Sequence, residues 1–173
     1  MQNFASYIRN IPDFPKDGIQ FKDITTLIKD GELFAQAVDY MYDPFRHEDI
    51  DKIAAVEARG FIFGGALSYK LNVGFVPIRK PGKLPAETVS EEYDLEYGKD
   101  KIEIHADAIE MGEKILIIDD LLATGGTAAA TCKLIEKLGG KVIGLSFLIE
   151  LTELKGREKL KNYKVHSLVT YPY

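Results

Sequence analysis

Two adjacent carboxylates and a glycine-rich turn form the segment of this 173-residue sequence that is best suited to chemistry. Residues 115–118 are consecutive apolar residues, a pattern typical of a buried strand in a parallel sheet. Asp119 and Asp120 follow this predicted strand. The turn after them contains Ala123, Thr124, Gly125, Gly126 and Thr127. Because such a turn at a helix N-terminus offers N–H groups to a phosphate, the segment predicts a phosphate site beside carboxylates that can bind hydroxyls or a metal ion.

Simpler explanations exist for each part of this segment. Gly125 and Gly126 could form an ordinary tight turn, and Asp119 could cap a helix. Two neighbouring carboxylates at the end of an apolar strand repel each other, however, unless a cation or hydroxyl groups meet them. The combination therefore favours a ligand site. It is neither a Walker motif nor a dinucleotide fingerprint, because no lysine follows Gly126 and the pattern Gly-x-Gly-x-x-Gly is missing from the turn.

Cations follow two other predicted strands, at residues 52–56 and 74–78. They are Arg59, Arg79, Lys80 and Lys83. An arginine where a helix begins is poorly placed for the helix dipole unless an anion also binds there. An ion pair between Arg59 and Glu57, and a solvated basic turn at residues 79–83, are the alternatives. Together with the glycine-rich turn, the cations predict two anion sites with the acid pair between them.

Strands and helices alternate along most of the chain. Strands are predicted at residues 52–56, 74–78, 115–118, 142–148 and 165–170, and helices at residues 32–41, 61–71, 127–138 and 154–160. Prolines and a glycine punctuate residues 11–21, which are predicted to be a loop. This order predicts one α/β domain over residues 1–173, with a central, mostly parallel sheet flanked by helices.

A polar segment at residues 84–107 interrupts this alternation. Its apolar and polar residues alternate near the end, which predicts a hairpin around Gly98 with one solvated face. Glu103, His105 and Asp107 share that polar face and could be imagined as a metal site, but solvated strands commonly show this pattern. A long polar insertion in a compact α/β domain is more often a lid, and we expect one here.

Composition restricts the class of protein. The net charge of −5 argues against a general nucleic-acid binder, which usually carries a basic surface. The single cysteine, Cys132, excludes an intrachain disulfide and is expected to be a small buried residue. The sequence shows neither a signal-peptide pattern nor an apolar run long enough to span a membrane. A cytoplasmic location is the resulting expectation.

Several separated segments resemble the type I phosphoribosyltransferases and, within that family, the adenine phosphoribosyltransferases. The segments are residues 14–24, 57–64, 79–85, 93–98 and 120–127. The resemblance implies the type I phosphoribosyltransferase fold, with a small N-terminal hood at residues 1–30 and a flexible hairpin lid at residues 81–107. It also implies a magnesium-dependent homodimer that converts adenine and phosphoribosyl pyrophosphate (PRPP) to AMP and pyrophosphate in purine salvage.

The resemblance further implies roles for individual residues in binding. Residues 123–127 would bind the 5′-phosphate of PRPP or AMP, and Asp119 and Asp120 would hold the ribose hydroxyls. Mg²⁺ would be held mainly by the substrate, with contact through water to the same two aspartates. Pyrophosphate would be bound by Arg59, Arg79, Lys80 and Lys83.

The remaining implied roles concern adenine and the chemical step. Phe21 would stack on the adenine ring, while the backbone around Gln20 and Lys22 reads its edge. Glu96 would be the catalytic acid at adenine N7, and Tyr97 of the lid would close over the site. The peptide after Glu57 resembles a loop that can hold a cis bond in such enzymes.

Two other functions remain open from the sequence. A phosphoribosyltransferase-like regulator would sense PRPP and bind nucleic acid without turnover, but the chain has no spare length for a second domain. An enzyme of the same class could instead use hypoxanthine, guanine, xanthine or orotate. Lys22 could supply the donor that a 6-oxo group requires.

Overall fold

The computed structural model describes residues 3–95 and 98–172. Its strands are β1 (Arg9–Pro12), β2 (Gln20–Asp23), β3 (Lys52–Val56), β4 (Gly74–Ile78), β5 (Thr88–Asp94), β6 (Lys99–His105), β7 (Lys114–Leu122), β8 (Lys141–Leu151) and β9 (Val165–Tyr171). Its α-helices are α1 (Thr25–Ile28), α2 (Gly31–Tyr42), α3 (Gly60–Leu71) and α4 (Gly126–Lys137). Short 3₁₀ turns cover Phe4–Tyr7, Asp43–Phe45, Thr152–Leu154 and Gly156–Leu160.

The centre of the fold is a five-stranded sheet in the order β4-β3-β7-β8-β9, and all its pairings are parallel. Alternate residues of β3 enter different clusters of the core. Ile53 and Ala55 pack with α2 and α3, whereas Ala54 and Val56 pack with α4 and the β5–β6 hairpin. The sheet is therefore covered on both faces, which explains its continuous apolar strands and confirms the predicted α/β class with a central parallel sheet.

The strand that carries the acid pair is longer than predicted. The sequence predicted an end at residue 118, but β7 continues to Leu122, so Asp119 and Asp120 lie inside the strand. The neighbouring strand β8 provides backbone partners over this extension, with Leu122 opposite Glu150. The extension depends on that pairing, which the apolar run alone does not reveal.

Residues 11–21 are not entirely a loop, contrary to the prediction. β1 and β2 form an antiparallel pair from Arg9 opposite Asp23 to Pro12 opposite Gln20. The proline closes the first strand, so it removes no hydrogen bond from the middle of the pair. An ion pair of 2.6 Å joins Arg9 to Asp23, and hydrogen bonding to this guanidinium lowers the pKa of Asp23 to about 2.

The predicted helix at residues 154–160 is likewise wrong. The segment contains two 3₁₀ turns that meet at Lys155, whose φ of 53° lies in the left-handed region. A helix cannot pass through that conformation. The turn returns the chain from β8 to β9 over the glycine-rich loop.

The polar segment does form a hairpin, as predicted. β5 and β6 pair antiparallel from Thr88 opposite His105 to Asp94 opposite Lys99. Ile102 and Ile104 of β6 are fully buried on the face of the hairpin that packs on the domain core. Glu91 also forms ion pairs with Lys133 and Lys137 of α4, so the base of the hairpin is fixed to the domain.

The polar face of β6 contacts the preceding loop. Glu103 accepts a hydrogen bond from the N–H of Gly82 at 3.3 Å, and His105 accepts one from the N–H of Ala86 at 3.4 Å. Over residues 3–95 and 98–172, no three His, Cys, Asp or Glu side chains gather closely enough to hold a metal ion.

None of the helices in these described residues is long and apolar enough to cross a membrane. Cys132 is fully buried, as expected, and its burial raises the pKa of its thiol to about 12.

Two neighbouring glycines of α3 test how tightly this helix packs on the sheet. A Cβ on Gly64 would lie 2.6 Å from the Cβ of Ala55, whereas one on Gly65 would meet nothing within 4 Å. We expect Gly64→Ala to lower the free energy of unfolding by about 1–3 kcal/mol through overpacking. Gly65→Ala should raise it by about 0.5–1 kcal/mol, because alanine favours the helix. Urea unfolding measures both, and equal effects would contradict the close packing of α3.

Candidate active site

Residues 123–127 comprise the turn after β7 and the first two residues of α4, and we call them the phosphate loop. Gly125 is the N-terminal cap of the twelve-residue helix α4 and has a φ of 78°, a conformation that favours glycine. Because this cap has no side chain, it cannot accept hydrogen bonds from the first-turn N–H groups, which suits the binding of an external anion. Asp119 and residues 121–128 line a small cavity at the loop. The predicted phosphate-binding residues are therefore together at one cavity.

The β5–β6 hairpin lies close above this loop. A Cβ on Gly126 would be 3.0 Å from Cδ2 of Tyr93 and 3.5 Å from the carbonyl oxygen of Asp94. Glycine at this position thus allows the hairpin and the helix start to approach each other. The hairpin therefore packs against the start of α4, next to the phosphate loop.

The acid pair joins two cavities. Asp119 lines the cavity of the phosphate loop, while Asp120 lines a second pocket beneath the β1–β2 hairpin. Asp120 is only 6% exposed, and its Oδ2 lies 2.6 Å from Nε of Arg59. The cation expected to meet the acid pair is therefore Arg59.

Burial dominates the electrostatics of the acid pair. Loss of solvent raises the pKa of Asp119 well above its ordinary value, and the negative charge of Asp120 raises it further. Burial also raises the pKa of Asp120, although the positive charge of Arg59 opposes this rise. A ligand that donates hydrogen bonds to these carboxylates would relieve the cost of keeping both ionised.

The pocket beneath the β1–β2 hairpin, which we call the hood pocket, is mostly apolar. Its lining residues are Ile19, Gln20, Phe21, Lys22, Arg59, Asp120, Leu121, Ile149 and Leu151. The Phe21 ring meets Phe14 edge-on at 5.1 Å between ring centroids. The guanidinium carbon of Arg59 lies 5.1 Å from the centroid of the same ring. An aromatic ring and a cation thus face a pocket that could hold a flat heterocycle.

The side chains of Gln20 and Lys22 have partners within the hood. The Nδ2 of Asn10 donates to Gln20 Oε1 at 2.6 Å, and Nζ of Lys22 donates to Asn10 Oδ1 at 2.8 Å. Lys22 also lies over the Tyr171 ring. With these side chains engaged, contact with a ligand through the backbone is the simpler arrangement.

The predicted pyrophosphate-binding cations are engaged differently from one another. Arg79 pairs with Glu57 at 3.2 Å. The alternative of an ion pair between Arg59 and Glu57 is therefore wrong, because Arg59 pairs with Asp120 instead. Nζ of Lys80 donates to the Tyr93 hydroxyl at 2.9 Å and pairs with Asp100. Lys83 is exposed. The peptide between Glu57 and Ala58 is cis, as the resemblance implied.

The predicted catalytic acid and lid residue, Glu96 and Tyr97, lie outside the described residues. Their neighbours are described: the N–H of Leu95 donates to the carbonyl of Gly98 at 3.0 Å.

The structure adds residues that the sequence did not single out for the site. Ile149 and Leu151 of β8 line the hood pocket. Their apolar character signals only a buried strand, and their position beside Phe21 arises from the folding of distant segments together. Gly60 lets α3 start against the acid pair, since a Cβ there would lie 2.7 Å from Oδ1 of Asp119. The sequence signal for this close approach was a glycine, Gly60, directly after Arg59 at the start of the predicted helix.

Comparison with known proteins gives consistent matches over almost the whole chain. The sequence model of the phosphoribosyl transferase domain family matches residues 25–170. An adenine phosphoribosyltransferase from Clostridium perfringens is 63% identical over 164 residues, which cover 95% of each chain.

Two solved structures are similar as well. The crystal structure of adenine phosphoribosyltransferase from Thermoanaerobacter pseudethanolicus is 55% identical, with a TM-score of 0.94, and the match covers 97% of this chain and 98% of that one. The enzyme from Saccharomyces cerevisiae, complexed with D-2,5-dideoxy-2,5-imino-altritol 1,6-bisphosphate and adenine, is 41% identical, with a TM-score of 0.90 and coverage of 95% and 96%. The phosphate loop, the acid pair and the hood pocket lie along one edge of the central sheet. Together with these matches, they establish that the chain belongs to the adenine phosphoribosyltransferase family.

Proposed function

We propose that this protein transfers the 5-phosphoribosyl group from PRPP to N9 of adenine, giving AMP and pyrophosphate in purine salvage. The observation that carries the proposal is the position of Asp119 and Asp120 within β7, where each lines one of two cavities. The phosphate loop forms one cavity and Phe21 lines the other. A ribose held at the acid pair would therefore lie between a 5′-phosphate and a base.

Each end of the substrates has a proposed set of partners. Residues 123–127 bind the 5′-phosphate through N–H groups and the dipole of α4. Asp119 and Asp120 accept hydrogen bonds from the ribose hydroxyls. Adenine stacks on Phe21, and the backbone at Gln20 and Lys22 reads its edge, which agrees with the engagement of both side chains by Asn10.

The pyrophosphate is bound by Arg59, Arg79, Lys80 and Lys83. Arg59 pairs with Asp120 through Nε in the structure. Arg59 can therefore contact pyrophosphate with its other two guanidinium nitrogens while it still faces Asp120. The ribose hydroxyls add hydrogen-bond donors to the same buried carboxylate.

The reaction displaces pyrophosphate from C1′ of PRPP by N9 of adenine. Positive charge develops on the ribose in the transition state, and the field of Asp119 and Asp120 stabilises it. Glu96 shares a proton with N7 and adjusts the nucleophilicity of the base. The hairpin lid excludes water that would hydrolyse the activated ribose, and Tyr97 of the lid closes over the site.

Magnesium is proposed as the metal, held mainly by the substrate. Asp119 and Asp120 are hard oxygen ligands, but only two carboxylates are present and Asp120 pairs with Arg59. Mg²⁺ commonly binds one or two carboxylates together with substrate phosphates, so this donor set fits contact through water. When bound, the ion neutralises charge on the departing pyrophosphate.

We also propose that the protein acts as a homodimer in the cytoplasm. Exposed apolar side chains on α3 and the edge strand β4 support self-association. Tyr69 is 91% exposed, and Ile62 and Phe75 are exposed as well. A second subunit covering this face would remove the apolar area from water.

The choice of base can be tested with a panel of purines. Adenine, hypoxanthine, guanine and xanthine are each incubated with PRPP and Mg²⁺, with EDTA as the control, and nucleotide formation is measured. We expect turnover of adenine alone and its loss in EDTA. Turnover of an oxo-purine would overturn the reading of the Phe21 pocket. Tight PRPP binding without any turnover would favour the regulator instead.

Replacement of the proposed catalytic acid should separate chemistry from binding. Glu96→Ala is expected to lower kcat by roughly 10²- to 10⁴-fold, the usual contribution of a general acid, while PRPP binding changes little. The matched control is Glu92→Ala, because Glu92 is an exposed glutamate of the same hairpin and its ion pair with Lys99 is long, at 3.9 Å. Wild-type turnover in Glu96→Ala would remove the proton-transfer role.

Removal of charge from the acid pair should abolish activity and yet stabilise the fold. In Asp119→Asn, and in the double variant with Asp120→Asn, we expect no AMP formation. We also expect Asp119→Asn to unfold at a higher temperature than the wild type at pH 7 in EDTA. The reason is that ionisation of Asp119, which is partly buried and adjacent to Asp120, destabilises the folded state.

The pH dependence has a definite sign. The pKa of Asp119 is higher in the folded protein than its ordinary value of 3.8, so the folded state holds more protons between these two values. The contribution of Asp119 to the stability of the wild type therefore falls as the pH rises through that interval, and the advantage of Asp119→Asn over the wild type at the same pH should disappear at pH 3. Asp49→Asn, at a largely exposed carboxylate, serves as the control. Activity in the double variant would contradict the role of the acid pair.

A further inference from the structure

A turn outside the predicted motifs packs directly on the phosphate loop. It follows β8, and its two 3₁₀ segments meet at Lys155, so that Gly156 is buried beside the loop. A Cβ on Gly156 would lie 2.3 Å from the carbonyl oxygen of Ala123 and 3.1 Å from the amide nitrogen of Gly125. The two segments therefore meet backbone against backbone.

The contact is reciprocal. A Cβ on Gly125 would lie 2.4 Å from the carbonyl oxygen of Gly156. Neither position has room for a side chain, and what must yield in each case is backbone rather than the end of a flexible chain. A shift of the Gly156 turn would therefore displace the phosphate loop.

The next residue, Arg157, fixes this turn to two strands. Its Nε lies 2.8 Å and 2.9 Å from the carboxylate oxygens of Glu150 on β8. Its other nitrogens donate to the carbonyl oxygen of Val165 at 2.9 Å and to Oγ of Ser167 at 3.3 Å, both on β9. One guanidinium thus connects the turn to both strands, which a lysine could not do with the same geometry.

Glu150 makes the interaction directional. It is 5% exposed, and a carboxylate so buried needs a cationic partner. Arg157 is the cation paired with it. Burial raises the pKa of Glu150, but the hydrogen bonds to Arg157 and Ser167 together with the charge of Arg157 lower it by more, so the net shift of the pKa is downward. The ion pair therefore holds Arg157 next to β8. Gly156, the residue before it, is thereby kept against the phosphate loop.

We propose that Glu150, Arg157 and Gly156 are positioning residues for the phosphate loop and set its affinity for the 5′-phosphate of PRPP and AMP. They act through Ala123 and Gly125 and do not themselves contact the substrate. The inference rests on the proposed function for the identity of the ligand. It adds a determinant of phosphate affinity beyond the loop itself.

Binding and kinetics of Gly156→Ala and Arg157→Gln test this inference. We expect each to raise the KM for PRPP and the Kd for AMP by about tenfold to a hundredfold, the scale of effects from small misplacements. The KM for adenine should change less than the KM for PRPP, because the hood pocket is lined by Ile149 and Leu151 of β8 but by no residue of the Gly156 turn. A merely structural role would lower the unfolding temperature without separating the two KM values.

Matched controls use residues remote from the loop. Gly31→Ala adds the same methyl group to the exposed first residue of α2, where a Cβ would meet nothing within 4 Å, and Arg46→Gln removes an arginine whose ion pair with Asp43 is exposed. Both should keep the wild-type Kd for AMP. If Gly156→Ala does not fold, Arg157→Gln decides the question alone.

The outcomes separate this inference from the proposed function. Wild-type protein that forms no AMP would overturn the function, while titration with AMP would still test the positioning of the loop. An active wild type whose variants bind AMP and use PRPP normally would overturn the inference. Parallel loss of affinity for adenine and PRPP would also overturn it, because the effect would not be specific to the phosphate.

Discussion

The need to compensate two adjacent carboxylates inside a buried parallel strand determines much of the arrangement around them. β7 carries Asp119 and Asp120 past the point where its apolar run ends, because β8 continues to pair with it. Arg59 meets Asp120, and α3 approaches Asp119 closely enough to require Gly60. This charged stretch costs stability in the free protein, and the hydroxyls of a bound ribose are the proposed partners that offset the cost.

Close backbone contacts position the other half of the site. Gly125 has a left-handed backbone and touches Gly156, while Gly126 leaves room for Tyr93 of the hairpin. Side chains contribute little to these contacts, so the geometry of the phosphate loop depends on the segments that press against it. Such contacts transmit small displacements efficiently because backbone atoms cannot change rotamer.

Two small antiparallel pairs complete the pocket from outside the central sheet. β1 and β2 present Phe21 to the hood pocket, and internal bonds from Asn10 hold Gln20 and Lys22. β5 and β6 are fixed to α4 through Glu91, while Tyr93 and Asp94 lie against Gly126 at the start of the same helix. A two-stranded pair is marginal by itself, so each depends on its contacts with the domain.

Local pattern was enough to predict the α/β class, the parallel sheet and a glycine-rich turn between β7 and α4, because strand hydrophobicity and turn chemistry are properties of contiguous residues. It also indicated which residue types could bind phosphate, hydroxyls and pyrophosphate. The length of β7, the pairing of β1 with β2 and the partner of Arg59 depended on segments distant in sequence. The same holds for the contact between Gly125 and Gly156, since only the packed tertiary structure brings two separate turns within backbone contact.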